Sequence, residues 1–359
     1  MKNFFDVSKM SAGDAQYEAQ KIAFSPIVFQ VARVLRTSGI LKHLDGNRAG
    51  LSSDEIANDL SMSPYVVSVL LETGLSAGIV AKNNELFSGT KIGYFLLNDE
   101  MTKVNMDFNH FVNYLGLYEL DNAVKSGKPS GLKVFNNDDT IYPGLSKLPD
   151  DAKKAWFDFD HFYSDSAFKE AIAILAQYNI KRLLDIGGNT GKFSRLCATS
   201  IPTCHVTIVD LPGQLDVAKN ENEKAGLSDR IDTYFANMLD ETTKLPTEFD
   251  AAWMSQFLDC FGEEDIVRIL KKVAQGIADD GHIYILEPLW DRQKYATSAY
   301  CIINTSPYFT AMANGTSKMF NFGEISKYIS KAGLYVDNIY DNIGFSHSLI
   351  VCKKIKGDA

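Results

Sequence analysis

Long apolar runs are missing from this 359-residue chain. None approaches the roughly 20 residues that a bilayer-spanning helix needs, and the opening MKNFFDVSKM lacks the basic start and apolar stretch of a secretory signal. A cytoplasmic protein with no membrane partner is expected. Cysteine is scarce and odd in number, at Cys197, Cys204, Cys260, Cys301 and Cys352, and no two form a CxxC pair. That argues against a disulfide framework and a zinc site, so reduced thiols and no metal are expected. Basic charge is in deficit too: 36 Lys and Arg against 45 Asp and Glu leave a net charge of −9, which gives no electrostatic footprint for nucleic acid.

What is there is a 45% hydrophobic composition on a chain longer than the usual single domain, so two domains with ample core are expected. Residues 1–100 read as an N-terminal domain. Pro26 opens a helical block, PIVFQVARVLRTSGI. Ser52 or Ser53 caps a second, in which Leu51, Ile56, Ala57 and Leu60 fall at helix spacing, and PYVVSVLLETGL is a third. A hairpin follows around Asn83 and Asn84, because Asn tolerates the left-handed conformation of a tight turn. Three helices and a hairpin make a winged helix. Its third helix carries no Lys or Arg, which favours packing or dimerisation over duplex recognition. Residues 101–165 are broken helices crowded with Phe, Tyr and Trp; they read either as the lining of a pocket for a flat apolar ligand or as core.

Residues 166–359 alternate strand and helix. RLLDIG, HVTIVD, RIDTYFAN, FDAAWM and GHIYILEP are separated by helical patterns, the signature of a doubly wound, Rossmann-like α/β sheet, and LYVDNIYDNI and SHSLIVCKK add an antiparallel pair at its edge. Ligands of such sheets sit beyond the carboxyl ends of the strands. The first strand ends in Asp185, Ile186, Gly187, Gly188, Asn189, Thr190 and Gly191, a turn in which glycines let a cofactor approach the backbone. The second ends in Asp210, at the offset where a carboxylate accepts ribose hydroxyls. Asp185 precedes the glycines and a third glycine of the dinucleotide pattern is absent. Both features favour S-adenosylmethionine over a nicotinamide dinucleotide or no cofactor.

With these motifs the chain resembles the class I S-adenosylmethionine-dependent O-methyltransferases of the plant caffeate and bacterial polyketide type, which join a winged-helix dimerisation domain to a Rossmann-like catalytic domain. The resemblance spans nearly the whole chain and implies a homodimer. It also implies S-adenosyl-L-methionine as methyl donor with S-adenosyl-L-homocysteine as product, and a small aromatic or polyketide-like acceptor. LLDIGGNTG matches the family's glycine turn with Asn189 for one glycine. VDLP places Asp210 on the ribose, next to Leu211, and Asn237 and Met238 fall where the family surrounds the adenine. Tyr308, Phe309, Met312, Met319 and Phe320 match a helical segment that lines the acceptor pocket, to which residues 101–165, with His161, contribute.

The stretch MSQFLDCFGEED departs from that family. Asp259 stands where the general-base histidine is expected, Ser255 for a lysine, and Gln256 and Phe261 for tryptophans. Glu287 matches the carboxylate that orients the histidine, and Ser317 stands about where a second glutamate belongs. Asp259 therefore has three readings: it accepts a hydroxyl proton during O-methylation, it polarises a phenol or enol for C-methylation, or it caps the EEDIVRIL helix while His161 or His347 acts. A winged-helix protein that senses cofactor or ligand without chemistry is the competing class.

Overall fold

A computed structural model of the chain describes residues 4–355, which form two compact units: Phe5–Phe111, and residues 112–355 together with Phe4.

The first unit is built from α1 (Ala12–Thr37), α2 (Ile40–Asp45), α3 (Ser53–Asp59), α4 (Pro64–Ser76), β1 (Val80–Asn83), β2 (Leu86–Gly89), α5 (Lys91–Asn98) and α6 (Glu100–Phe108). Ser52 rather than Ser53 caps α3, in a reciprocal box with Glu55: the Glu55 amide donates to Ser52 Oγ at 3.2 Å and the Ser52 amide to Glu55 Oε2 at 2.7 Å. Asn84 turns the hairpin with φ +54°. Pro26 does not open a helix; it lies inside α1. A proline there leaves the carbonyl four residues back without its amide, and Ser25 Oγ donates to that carbonyl, Ile22 O, at 2.8 Å. Leu35, Ile40, Leu44, Ile56, Leu71 and Val80 close the core of this unit.

The second unit contains α7 (Leu120–Ser126), α8 (Asp150–Leu175), β3 (Arg182–Ile186), α9 (Lys192–Ser200), β4 (His205–Asp210), α10 (Pro212–Lys224), β5 (Ile231–Phe235), β6 (Phe249–Ser255), α11 (Glu263–Gly276), β7 (Ile277–Glu287), α12 (Ala296–Tyr308), α13 (Phe322–Lys331), β8 (Leu334–Ile343) and β9 (His347–Lys354). Seven strands pair in the order β5-β4-β3-β6-β7-β9-β8. The first five strands run parallel, and β9 pairs antiparallel to both β7 and β8. Alternation along the strands fills both faces. Leu184, Met254 and Ile285 meet Ile266, Ile269 and Leu270 of α11 on one side. On the other, Leu183, Trp253 and Tyr284 meet Phe168 and Ala171 of α8 and Phe193 of α9, with Phe193 stacked on Trp253 at 4.1 Å.

Strand order reverses at β3, whose neighbours are β4 on one side and β6 on the other. The crevice at such a reversal is where open α/β sheets bind ligands. It is flanked by the glycine turn that follows β3 and by the MSQFLD stretch that ends β6.

One predicted helix is shorter than expected. The segment from Ser306 to Phe320 is helical only to Tyr308, continues as a single π-turn over Phe309–Ala313, and then leaves helix altogether. Asn314 and Gly315, the latter at φ +82°, break it, so Met319 and Phe320 lie outside the helix.

Candidate active site

At the end of β3 the chain enters the left-handed region at Gly187 (φ +70°), Asn189 (φ +50°) and Gly191 (φ +78°). Asn189 adopts the conformation of the glycine it replaces. The backbone is crowded as well: a Cβ on Gly187 would come within 2.3 Å of the Phe257 ring, and one on Gly188 within 2.8 Å of the Asp185 carboxyl. Asp185 is buried and accepts from Ser194 Oγ; burial lifts its carboxyl to about 7.

Asp210, at the end of β4, closes the turn. Its Oδ2 accepts the Asn189 amide at 2.8 Å and its Oδ1 the Leu211 amide at 2.7 Å, and burial holds its carboxyl above the usual range. Each oxygen keeps a lone pair for a further donor. Beyond β5, Asn237 is exposed and accepts the Leu239 amide on Oδ1 at 3.0 Å, whereas Met238 is buried in the core against α11.

The β6 end is the most constrained part of the crevice. Ser255 Oγ is buried without a hydrogen-bond partner among the described residues. Gln256 is left-handed (φ +46°); its amide donates to Leu286 O at 2.9 Å and its Oε1 lies 2.8 Å from His347 Nε2. The next two amides, of Phe257 and Leu258, donate to Glu287 Oε1 at 3.1 and 2.9 Å. Glu287 thus braces the backbone on which Asp259 sits. Burial first, and the Asp259 charge second, push its carboxyl well above the ordinary range.

Asp259 is 4% exposed. It does not cap α11, whose N-cap is Gly262. Its Oδ1 accepts the weak Cys260 thiol donor at 3.5 Å, and desolvation raises its carboxyl to about 6. Asp160 of α8, raised to about 6 by burial with Asp259 among the charges acting on it, makes the surroundings acidic.

Near this carboxylate Asn314, Tyr142 and Trp156, which the resemblance does not single out, bond to one another or to residues that it does. Asn314 donates from Nδ2 to Cys260 O at 2.8 Å and Ser317 Oγ at 2.7 Å, and lies 3.3 Å from Tyr142 Oη. Trp156 Nε1 donates to Tyr308 Oη at 2.7 Å. Burial raises the hydroxyls of Tyr142 and Tyr308, so both remain protonated hydrogen-bonding groups. Phe309 packs on Tyr308 edge to face. Met312 is fully buried in the space that Gly116 and Gly131 leave open: a Cβ on either would meet its sulfur, at 1.9 and 2.8 Å. His161 points to Asp165, 3.8 Å away, and His347 is buried and neutral, its imidazole driven down to about 4 by desolvation. The Asn-Gly turn signal at 314–315 marks the break of the helix; nothing in the sequence signals the Gln256–His347 pair.

Comparison with known proteins supplies the identity. Residues 119–335 match the O-methyltransferase domain and residues 16–87 a Dimerisation2-like domain. The chain is 21% identical over 341 residues to an L-tyrosine C(3)-methyltransferase of Streptomyces lavendulae, covering 93% of this chain and 91% of that one. Its fold is similar to the apo crystal structure of the S-adenosylmethionine-dependent methyltransferase SibL (TM-score 0.70, 20% identity, 94% and 98% of the two chains). It is also similar to NcsB1 of neocarzinostatin biosynthesis, solved with S-adenosylmethionine and 2-hydroxy-5-methyl naphthoic acid (TM-score 0.63, 19% identity, 91% and 96%). Because its catalytic unit carries the O-methyltransferase domain through most of its length, the chain belongs to that family and is an S-adenosyl-L-methionine-dependent methyltransferase.

Proposed function

We propose that this enzyme methylates the hydroxyl of a small aromatic acceptor, with Asp259 taking the place of the family's histidine as proton acceptor. The observation that carries the reading is the buried Asp259 carboxylate at the β6 end, on a backbone that Glu287 braces through the Phe257 and Leu258 amides. S-adenosylmethionine supplies an electrophilic methyl group when bound, so what the protein must add is alignment and an exposed lone pair on the nucleophile. A phenol ionises near 10, about six units above an ordinary aspartate. At about 6, Asp259 narrows that gap to about four, close to the roughly three and a half of a histidine. It is still about nine-tenths ionised at pH 7. Burial therefore improves the base without silencing it.

The cofactor residues fit the same reading. Gly187 and Gly191, both left-handed, turn the backbone tightly with Gly188 beside the start of α9, Asp210 retains acceptor capacity for two ribose hydroxyls, and Asn237 keeps a second lone pair on Oδ1 for an adenine amino group. Leu211, Ser255 and Gln256 complete the surround, with Met238 behind them in the core, and the Asp185 carboxyl, at about 7, would ionise opposite an ammonium group. Tyr308, Phe309 and Trp156, with Tyr142, favour a flat apolar acceptor; His161 and Met312 belong to the outer lining.

A second reading is C-methylation of a phenol, favoured by the relative of Streptomyces lavendulae that is named for methyl transfer to a tyrosine ring carbon. Asp259 then withdraws the hydroxyl proton to enrich the ring in electrons, the ring carbon takes the methyl group, and the proton that this carbon carried is lost as the ring regains aromaticity. We also propose a homodimer through the N-terminal unit, supported by the Dimerisation2-like match and by exposed Tyr17, Ile22, Phe24 and Ile27 on α1.

Gly187→Ala places a side chain at positive φ against Phe257, a strain of about 1–3 kcal/mol. S-adenosylhomocysteine affinity by calorimetry is expected to fall about tenfold or more, and unchanged affinity removes the glycine turn from the cofactor site. With a labelled methyl donor and a panel of phenols, Asp259→Asn is expected to lower kcat by about 10² or more; full activity in that variant would falsify the base role, and product NMR separates O- from C-methylation. Light scattering on a gel-filtration column is expected to give the mass of two chains, and a lone 39.9 kDa species contradicts the dimer.

A further inference from the structure

His347 is a buried side chain that the proposed chemistry leaves without a task. It opens β9, is 1% exposed, and reaches Gln256 Oε1 at 2.8 Å across 91 residues of sequence. Gln256 is the residue at which β6 stops: φ is +46° there, a conformation that a side chain with a Cβ avoids unless its surroundings impose it. A return to negative φ would rotate the chain that follows. The amides of Phe257 and Leu258 would leave Glu287 Oε1, the Phe257 ring would leave the Gly187 backbone, and Asp259 would leave its position.

The mount of His347 is rigid. In the β8–β9 turn, the Gly344 amide donates to Glu170 Oε2 and the Phe345 amide to Ser166 Oγ, each at 3.3 Å. The Phe345 ring stacks on Phe162 at 4.9 Å, and Gln293 Nε2 donates to Ser346 O at 2.8 Å. Three of these anchors belong to α8, the helix that carries Trp156 and Asp160. A neutral imidazole with its proton on Nε2 donates to Gln256 Oε1 and leaves Nδ1 as a buried lone pair with no partner among the described residues. The opposite tautomer would bury an unsatisfied N–H, the rarer arrangement.

We propose that His347 is a positioning residue: through its bond to Gln256 it holds the β6 turn in the left-handed conformation and so places Asp259. The proposal rests on the reading of Asp259 as proton acceptor. Without the bond, the population with a competent turn falls and kcat falls with it, while Asp210 keeps its bonds to the Asn189 and Leu211 amides.

The test compares His347→Leu, His347→Gln, Gln256→Gly and the double variant His347→Leu/Gln256→Gly in full-length enzyme. His347→Leu is expected to lower kcat about tenfold or more, with a smaller loss of S-adenosylhomocysteine affinity. His347→Gln, which keeps an N–H donor of similar reach, restores most of kcat. In the Gln256→Gly background positive φ carries no Cβ penalty, so adding His347→Leu is expected to change kcat less than about twofold. A His347→Leu chain that folds only in that background supports the same role. An undiminished effect of His347→Leu in the Gln256→Gly background overturns the proposal, as does a His347→Gln variant as inactive as His347→Leu. Asp259→Asn, assayed alongside, keeps the two questions apart: its full activity removes the reading of Asp259, whereas failed rescue beside an inactive Asp259→Asn removes only the role of His347.

Discussion

The brace from Glu287 to the Phe257 and Leu258 amides is the interaction on which the site depends. A buried carboxylate costs several kcal/mol unless donors surround it, and amides at the end of a strand have no ladder partner of their own. Each solves the other's problem. The result ties the end of β7 to the turn after β6 at the point where strand order reverses, and it fixes two things at once. Phe257 is pressed against the glycine turn, and Asp259 is carried on a short 3-10 turn, Leu258–Cys260, that has little freedom left.

The same geometry sets the electrostatics. Asp259, Glu287 and Asp160 are desolvated carboxyls, all raised, and Asp259 contributes to the shifts of the other two. Raised pKa values in the folded state mean that ionisation opposes folding. The penalty is present above about 6 and is relieved as pH falls toward the unfolded value near 4. Stability therefore favours the acid side of about 6, and a carboxylate that accepts protons needs the alkaline side. A site that works near neutrality accepts that penalty in exchange for a stronger base, the usual arrangement where pKa values are tuned for catalysis.

Much of this was legible in the sequence because it is carried by local pattern. The apolar runs of β3, β4, β6 and β7 are buried on both faces and announce themselves; the glycine turn and Asp210 follow at fixed offsets; Ser52 and Glu55 form a capping box three residues apart. What was illegible depends on partners far apart in sequence. Glu287 matches the carboxylate that orients a histidine in the resembling family. A histidine has an N–H to offer a carboxylate, whereas an ionised aspartate has none, so the buried Glu287 carboxylate is satisfied by backbone donors instead. The residue matched the family; its hydrogen bond did not follow. Pro26 misled for a local reason, since the neighbouring Ser25 supplies the bond that proline removes, whereas the knot of Asn314, Tyr142 and Cys260 joins three segments that no periodicity connects.

The central claim is that the ionised Asp259 carboxylate receives the acceptor's proton. The pH dependence of kcat/KM, measured from about pH 5 to about pH 8 on wild type and Asp259→Asn, tests it most directly. The account predicts an acid limb in wild type that falls about tenfold per unit below about 6 and a plateau above it, with the limb lost and the plateau greatly lowered in Asp259→Asn. A limb that survives unchanged in Asp259→Asn assigns the titration to another group and contradicts the account.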